Sequence, residues 1–326
     1  MIICIGNALV DSLTQIEESK INELSLNKAR MTLVDKERSN FLLQNMENPI
    51  YEAGGSAANT AYWISQLGGE VGFIGKISND ELGNQFQSSL KDSGLKDFTV
   101  FEEEDNQTGL CAIFITPDGE RTMNTYLGAG EYLSVNDLNV DSIKDANILY
   151  MEGYLWDKPS SKEAFLHAAK LNKETGGMNA ISLSDVFCVD MHRESFKDFI
   201  KSDIDYVFCN EDELNSLFEL NNIDESIENF LSLFPNVKQL ICTLGSSGVM
   251  IIEKGRSYHF DATEANVVDK TGAGDFFAGG YLYGLQKNLS LVDSAEIANR
   301  SAAHVISEIG VRPKNCLLYT SPSPRD

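Results

Sequence analysis

Residues 267–285 read VVDKTGAGDFFAGGYLYGL: a short apolar run, a glycine-containing turn, and then an apolar helical pattern. Gly272 and Gly274 allow the backbone to turn so that its N–H groups converge at the positive end of a helix dipole. The amides of Gly272, Ala273 and Gly274 are therefore predicted to bind an anion. Asp275 falls in the first helical turn, where its carboxylate can accept a proton from an attacking hydroxyl.

A second interpretation of this stretch is purely structural, because Asp beside Gly is common at helix starts as a cap. The spacing excludes two other glycine-rich loops. GAGDFF lacks the third glycine of the GxGxxG dinucleotide-binding fingerprint, and the chain contains no GxxxxGK[ST] phosphate-binding loop. Taken alone, the sequence around Asp275 leaves a catalytic carboxylate and a helix cap as alternatives.

Outside this stretch, short apolar runs recur along the chain, each followed by turn residues and often by an amphipathic pattern. Amphipathic helices are predicted, for example, at 56–68 and 162–176. Strands are predicted at 2–6, 71–75, 148–152, 180–184, 205–209, 239–243 and 248–252. This alternation predicts an α/β fold, with a mainly parallel sheet covered by helices on both faces.

Two segments, 12–52 and 106–126, interrupt the alternation, and the second contains two apolar runs joined by a PDGE turn, as in a β-hairpin. Both are predicted to leave the sheet and pair as a small β-lid. A lid fits a monomer that closes over its own site or a homodimer joined through the lids. The α/β core then comprises 1–11, 53–105 and 127–313. The polar tail 314–326, with two Ser-Pro steps, is predicted to be disordered or foreign to the gene.

Composition narrows the class of protein. The 49 acidic against 26 basic residues give a formal net charge of -23, which disfavours nucleic-acid backbones and anionic membranes as partners. The six cysteines are scattered without a CxxC pair, and the four histidines have no zinc-binding spacing, so buried thiols in a reducing compartment are expected. No apolar run approaches about 18 residues, and no signal peptide is evident. We expect a cytoplasmic protein.

The motif TGAGDFFAGG resembles the C-terminal signature of the ribokinase-like (PfkB) family of sugar and nucleoside kinases. Four further segments agree in order and spacing between Ile2 and about Pro313: GNALVD (6–11) with the first substrate loop, GGSAANTA (54–61) with the N-terminal signature, NEDEL (210–214) with the magnesium-and-phosphate motif, and CTLGSSGV (242–249) with the nucleotide-binding strand and turn. The resemblance implies a three-layer α/β/α fold with a small lid. It also implies transfer of the γ-phosphoryl group of ATP to a primary hydroxyl, with Asp275 as general base.

The resemblance assigns expected roles to individual residues. The acceptor would be bound by Asn7, Asp11, Gly54, Gly55, Ser56, Asn59 and Glu152. ATP would be contacted by Asn210, Glu213, Thr243, Gly245, Gly248 and Asn299, the last expected to open the final helix. Glu213 would orient water on Mg²⁺, while Asp269 and Thr271 match the position of a monovalent cation such as K⁺. Without the resemblance, GNALVD is equally a capped turn, NEDEL an Asn-capped helix start and TLGSSG a hairpin turn.

The identity of the acceptor is less tightly constrained. Ser56 stands where ribokinase-type relatives have lysine, which favours the adenosine-kinase-like branch, whereas Glu152 matches a carboxylate of the sugar kinases. Arg121 in the hairpin could meet a phosphate or pair with an acidic neighbour. Four aromatic residues fit either stacking on a purine or core and lid packing: Tyr126, Tyr154, Trp156 and Phe187. We expect a nucleoside kinase, with a fructose- or ribose-type kinase and a non-catalytic ligand-binding regulator as alternatives.

Overall fold

The computed structural model describes residues 1–103, 106–308 and 310–312, so the tail predicted at 314–326 lies outside the described residues. The strands are β1 Ile2–Ile5, β2 Leu9–Gln15, β3 Met31–Leu33, β4 Ile50–Gly54, β5 Val71–Ile74, β6 Lys76–Ile77, β7 Lys96–Asp97, β8 Val100–Phe101, β9 Gly109–Ile115, β10 Arg121–Tyr126, β11 Ile148–Glu152, β12 Met178–Ser182, β13 Tyr206–Asn210, β14 Gln239–Thr243, β15 Val249–Glu253 and β16 Arg256–Phe260. The α-helices are α1 Glu18–Glu23, α2 Lys36–Gln44, α3 Ser56–Gln66, α4 Glu81–Asp92, α5 Val140–Lys144, α6 Pro159–Glu174, α7 Val186–Asp203, α8 Glu211–Phe218, α9 Ile223–Leu233, α10 Ala273–Gln286 and α11 Leu291–Val305.

Nine strands form the larger sheet, in the order β16-β15-β14-β13-β12-β11-β1-β5-β7. All neighbours from β14 to β7 pair in parallel, and only the edge formed by β14, β15 and β16 is antiparallel. The mainly parallel sheet predicted from the sequence is therefore confirmed. Parallel strands place their carboxyl ends along one edge of the sheet, where open α/β sheets bind ligands.

Two apolar layers lie on opposite faces of this sheet. In β1, Ile3 and Ile5 face one layer while Ile2 and Cys4 face the other, because successive strand side chains point to opposite faces. The first layer contains Phe165 of α6 and other side chains from α5 to α9. The second contains side chains of α3, α4, α10 and α11. The α/β/α layering that the sequence predicted follows from burial on both faces.

A second sheet, which we call the small sheet, has five strands in the order β3-β10-β9-β2-β4. Its β9–β10 hairpin turns at Gly119, whose φ of 84° favours glycine. A satellite cluster including Leu42 and Phe114 packs α1 and α2 against it. The small sheet begins at Leu9 and reaches Gly54, so its strands continue past both ends of segment 12–52. It adjoins the carboxyl end of β1 through residues 6–8.

The cysteines of the described part of the chain are all free thiols. Cys4, Cys111, Cys209 and Cys242 are buried, and Cys188 is half-buried. Among these described residues, no three His, Cys, Asp or Glu side chains are placed to hold a metal ion. In the same residues, no helix combines the length and apolar character needed to cross a membrane.

Candidate active site

A cavity of about 780 Å³ opens at the carboxyl ends of the central strands, between the larger sheet and the small sheet. The last residues of four neighbouring strands line it: Glu152 of β11, Ser182 of β12, Asn210 of β13 and Thr243 of β14. The small sheet contributes apolar side chains from the other side, including Leu9, Met31, Leu33 and Met123. Segments distant in sequence thus meet at one edge because parallel strands end together.

Helix α10 starts at this cavity, and residues 272–275 all line it. The N-cap Gly272 has a φ of 77°, a left-handed conformation that directs the following amides toward the helix mouth. A Cβ added to Gly274 would meet no atom within 4 Å, because this position faces open space. The start of α10 therefore presents the Gly272 and Gly274 amides and a helix dipole to the cavity, which is an anion-binding arrangement, while the Ala273 N–H donates to Lys270 O at 3.3 Å.

Asp275, the third residue of α10, is held by the start of α3. Its Oδ1 accepts a hydrogen bond from Ser56 Oγ at 2.6 Å and its Oδ2 accepts one from Asn59 Nδ2 at 3.0 Å. Ser56 and Asn59 are three residues apart, so they project from the same face of α3. Both residues, which were expected to bind the acceptor, orient the carboxylate; Ser56 also lines the cavity, whereas Asn59 does not.

The ionisation of Asp275 is balanced between opposing effects. Burial raises its pKa to about 6, whereas the Ser56 and Asn59 hydrogen bonds and the nearby Arg312 guanidinium lower it. A carboxylate with this pKa is deprotonated at neutral pH and is a stronger base than an exposed aspartate. The same residue is therefore placed and tuned to accept a proton from a group in the cavity.

Asp11 also lines the cavity, but it lies inside β2 and not in the turn that the motif GNALVD suggested. No described residue donates a hydrogen bond to its carboxylate, so both oxygens keep their acceptor capacity for a ligand. Burial raises its pKa to about 7, an effect opposed by Arg312. A Cβ at Gly54 would lie 2.5 Å from the Asp11 carboxyl carbon, so only glycine fits beside it.

Glu152 was expected to contact acceptor hydroxyls, and the structure gives it a different setting. It is fully buried, its Oε1 accepts from both Asn7 N and Asn7 Nδ2 at 2.7 Å, and its Oε2 accepts from Ala57 N at 2.6 Å. Burial raises the pKa of this carboxyl to about 7. Glu152 therefore ties the loop after β1 to the start of α3. Gly55, with a φ of 94°, passes so close to Asn7 O that a Cβ would lie 2.2 Å from it.

The NEDEL motif forms the N-cap and start of α8, and its Asn210 and Glu213 line the cavity. Asn210 is the N-cap, its Oδ1 accepts from Glu213 N at 2.8 Å, and Glu213 Oε2 accepts in return from Asn210 N at 3.0 Å. Burial raises the pKa of Glu213 to about 7. The cap that the residues alone suggested is present, and both side chains still lie on the cavity wall. Each carboxylate oxygen of Glu213 accepts one hydrogen bond from Asn210 and can accept another from a ligand or water.

Three residues expected to contact ATP lie elsewhere. Gly245 and Gly248, with φ of 58° and 91°, form the turn between β14 and β15, and neither lines the cavity. Asn299 does not open the last helix, because α11 begins at Leu291 after the N-cap Ser290. It is buried in the helix interior, where its Nδ2 donates to Asp261 O at 3.0 Å. Of the strand-and-turn motif, Thr243 alone reaches the cavity.

Asp269 is fully engaged by neighbouring groups. Its Oδ1 accepts from Thr271 N at 3.0 Å and Thr271 Oγ1 at 2.8 Å, and its Oδ2 accepts from Gly310 N at 3.0 Å. Arg121 Nη2 lies 2.6 Å from the same Oδ2, so Arg121 pairs with an acidic neighbour. A guanidinium thus occupies the carboxylate proposed for a monovalent cation, and the arrangement does not fit a K⁺ site. The contact also joins the small sheet to the loop before α10.

The aromatic residues divide between the cavity and the core. Phe187, 58% exposed, and Tyr154 line the cavity, whereas Trp156 is buried against Phe196 with ring centroids 5.1 Å apart. Tyr126 is not among the lining residues. The sequence analysis missed the apolar wall of Met31, Leu33, Leu127 and Met191, because isolated apolar residues carry no motif. It also missed Lys270, which lines the cavity two residues before Gly272.

A covered parallel sheet, a helix start suited to anions and an adjacent carboxylate are together typical of the ribokinase-like class of phosphotransferases. The family model for pfkB family carbohydrate kinases matches residues 24–316. The chain belongs to the PfkB family, and it is a sugar or nucleoside kinase.

Individual relatives agree with this assignment. The chain is 36% identical to a probable sugar kinase from Rhizobium etli CFN 42, with a TM-score of 0.89 over 97% of this chain and 95% of that one. It is 34% identical to adenosine kinase from Sinorhizobium meliloti, with a TM-score of 0.88 over 97% of this chain and 96% of that one. It is 29% identical over 273 residues to fructokinase-1 from Zea mays, which covers 80% of this chain and 84% of that protein. Nucleoside and sugar kinases are both represented.

Proposed function

We propose that this protein transfers the γ-phosphoryl group of ATP to the primary hydroxyl of a nucleoside of the adenosine type. The observation that carries the proposal is the position of Asp275. Its carboxylate lies in the first turn of α10, on the wall of a cavity that it shares with Asp11, whose carboxylate accepts no hydrogen bond from a described residue. A base beside an anion-binding helix start is what phosphoryl transfer to an alcohol requires.

In the proposed reaction, Asp11 accepts hydrogen bonds from ring hydroxyls and turns the primary hydroxyl toward Asp275. Asp275 takes the hydroxyl proton as the acceptor oxygen bonds to the γ-phosphorus. The bond from that phosphorus to the oxygen bridging to the β-phosphate breaks, and ADP leaves with the electron pair. The amides of Gly272, Ala273 and Gly274 stabilise the charge on the phosphoryl group in transit.

Magnesium and the nucleotide phosphates would be held by Asn210 and Glu213, with Thr243 beside them. Asn210 and Glu213 line the cavity, and the Glu213 oxygens retain acceptor capacity, which fits water-mediated contact with Mg²⁺. Bound Mg²⁺ would supply neutralising charge for the phosphates. Asn210, through its cap, fixes the direction in which the Glu213 carboxylate points.

A nucleoside is favoured over a free sugar by the apolar part of the cavity. Met31 and Leu33 of β3 are 42% and 50% exposed, and across the cavity Phe187 and Met191 of α7 are both 58% exposed. A purine offers two apolar faces to such walls, whereas a hexose or pentose offers hydroxyls. The similarity to adenosine kinase from Sinorhizobium meliloti supports the same class.

The second candidate is a fructose- or ribose-type sugar kinase, favoured by the similarity to plant fructokinases. The carboxylate that suggested it, Glu152, already accepts three hydrogen bonds from Asn7 and Ala57, which weakens its motif-level support. A non-catalytic regulator of the same fold is disfavoured because Gly272, Gly274 and Asp275 all remain in place.

A coupled ADP-release assay with adenosine, inosine, ribose and fructose separates these functions, with Asp275→Asn as the catalytic control. We expect the highest kcat/KM with adenosine. Turnover of fructose or ribose with no signal from either nucleoside would establish the sugar kinase instead. Absence of turnover with all four acceptors, together with retained ATP binding, would favour the regulator.

A further inference from the structure

The cavity carries little positive charge for a site proposed to bind a nucleoside triphosphate. Six carboxylate residues line it: Asp11, Glu152, Asp157, Asp185, Glu213 and Asp275. Among the described residues that line it, Lys270 is the only lysine or arginine. The whole chain carries a formal net charge of -23, so the surrounding field also opposes an anionic ligand. Whatever cation the protein itself brings to the phosphates must therefore come from very few groups.

Lys270 is placed to be that group. It lies two residues before the N-cap Gly272, and its backbone O accepts from Ala273 N at 3.3 Å, so it belongs to the turn that opens α10. Its side chain is exposed to the cavity. A lysine stem of four carbons allows an ammonium group to follow a ligand that enters at the helix mouth.

The acidic residue beside it does not neutralise it. Asp269 directs its oxygens to Thr271, Gly310 and the Arg121 guanidinium. No described carboxylate forms an ion pair with Lys270, in contrast to Lys76, which is buried between Glu102 and Asp137. The ammonium of Lys270 is thus available to a ligand, while Arg121 is committed to holding the loop.

We propose that Lys270 is a catalytic residue that contacts the γ-phosphoryl group of ATP and stabilises its charge during transfer, an inference that rests on the proposed kinase function. The helix mouth supplies partial positive charge from amides at 272–274, and Lys270 adds one full charge at the same place. Its contact is with the transferred group because the turn that carries it leads directly into the anion-binding amides and Asp275.

The experiment compares Lys270→Met, Lys270→Arg and the wild type, with Lys91→Met as matched control. Lys91 is also exposed, lies on α4 outside the cavity lining, and loses the same unit of charge when replaced. Steady-state kinetics give kcat and the KM of each substrate, and calorimetry gives the affinities for ATP and ADP with Mg²⁺ in excess. Thermal melting of each variant establishes that it is folded.

We expect Lys270→Met to lower kcat/KM for ATP roughly 10- to 100-fold, since a charge-assisted contact to the reacting group is lost. The affinity of Lys270→Met for ADP should stay within roughly threefold of wild type. ADP lacks the γ-phosphate, so the Lys270 ammonium would act on it only from a distance, where salt screens the interaction. The KM for the acceptor should not change, Lys270→Arg should retain most activity, and Lys91→Met should match wild type.

Three results would overturn the inference, and they are distinguishable. If Lys270→Met and Lys91→Met show equal kinetics and the wild type is active, the inference about Lys270 is wrong, and the proposed kinase function stands. Equal losses of ATP and ADP affinity would refute a contact with the γ-phosphoryl group. A wild-type protein that neither binds ATP nor phosphorylates any acceptor would overturn the proposed function and this inference together.

Discussion

The two proposed ends of the cavity, the acceptor end around Asp275 and the nucleotide end around Asn210, use their motif residues differently. At the acceptor end, side chains from distant segments hold one another: Ser56 and Asn59 of α3 orient Asp275 of α10, and Glu152 of β11 fixes Asn7. At the nucleotide end, Asn210 and Glu213 satisfy each other within one helix turn, and the glycines of the β14–β15 turn lie outside the cavity lining.

This difference indicates where rigidity resides. The acceptor end is a hydrogen-bond network across three elements, so a change in one member should affect the position of the Asp275 carboxylate. The nucleotide end consists of local caps and turns, so a change there should act mainly on one element. Substitutions at the two ends should therefore have effects of different size and kind.

The largest effect is expected for Asp275→Asn. Removing the base should reduce kcat roughly 10²- to 10⁴-fold, with little change in the KM for ATP, because the helix start is intact. Single-turnover kinetics with bound ATP and acceptor measure the step directly. Turnover within a few-fold of wild type would show that another group accepts the proton.

Next in size is Gly54→Ala. The added Cβ would lie 2.5 Å from the Asp11 carboxyl carbon, so the carboxylate must move. A displacement of about 1 Å in a positioning group costs on the order of 10²-fold, and we expect such a loss in kcat/KM for the acceptor. The KM for ATP serves as internal control and should be unchanged. An unchanged kcat/KM for the acceptor would mean that Asp11 neither binds nor orients it.

A matched pair of caps tests the nucleotide end. Asn210→Ala and Asn222→Ala each remove an N-cap side chain that makes two hydrogen bonds, from α8 and α9, and each should lower the free energy of unfolding by about 1 kcal/mol. Only Asn210 lines the cavity. Urea unfolding should therefore give similar losses, whereas the KM for ATP should rise for Asn210→Ala alone. Equal KM values for the two variants would remove Asn210 from the nucleotide site.

The smallest kinetic effect is expected for Asn299→Ala. Its side-chain amide donates to Asp261 O inside the fold, so its loss should lower the free energy of unfolding by about 1 kcal/mol. Since Asn299 does not line the cavity, kcat and both KM values should match wild type. A specific rise in the KM for ATP would return this residue to the nucleotide site that the sequence resemblance suggested.

Most of the fold could be predicted because buried parallel strands appear as short apolar runs separated by helical patterns, and their order fixes which ends meet. The interruption of that rhythm by 12–52 and 106–126 likewise marks the segments that build most of the small sheet. The start of β2 at Leu9 was missed because GNALVD (6–11) was interpreted as one turn. No residue after Gly6 and Asn7 marks the point where the turn ends and the strand begins.

The sequence identified many of the residues that line the candidate site, but it did not predict which of them contact one another. The two hydrogen bonds to Glu152 Oε1 come from a loop 145 residues away, and no local sequence pattern predicts that Asn7 donates them. The prediction that Asn299 opens the last helix was wrong, but the sequence contains the correct signal. Ser290 followed by Asp293 is a capping pattern, and it marks the start of α11. The Arg121–Asp269 pair joins two segments whose proximity depends on the whole fold.

The pH dependence of kcat tests the central assignment most directly. Asp275 acts as a base only when deprotonated, and its pKa is raised to about 6 by burial, so kcat at saturating ATP and acceptor should be level at pH 7–8 and fall as the pH drops through about 6. Asp275 interacts electrostatically with the carboxyls of Asp11 and Glu152 and with the Arg312 guanidinium. The midpoint of the pH profile therefore reports the coupled titration of these groups and not of Asp275 alone. We predict a decline approaching tenfold per pH unit in the wild type that is absent from Asp275→Asn. A wild-type kcat that stays constant down to pH 5 while the protein remains folded would contradict Asp275 as the catalytic base.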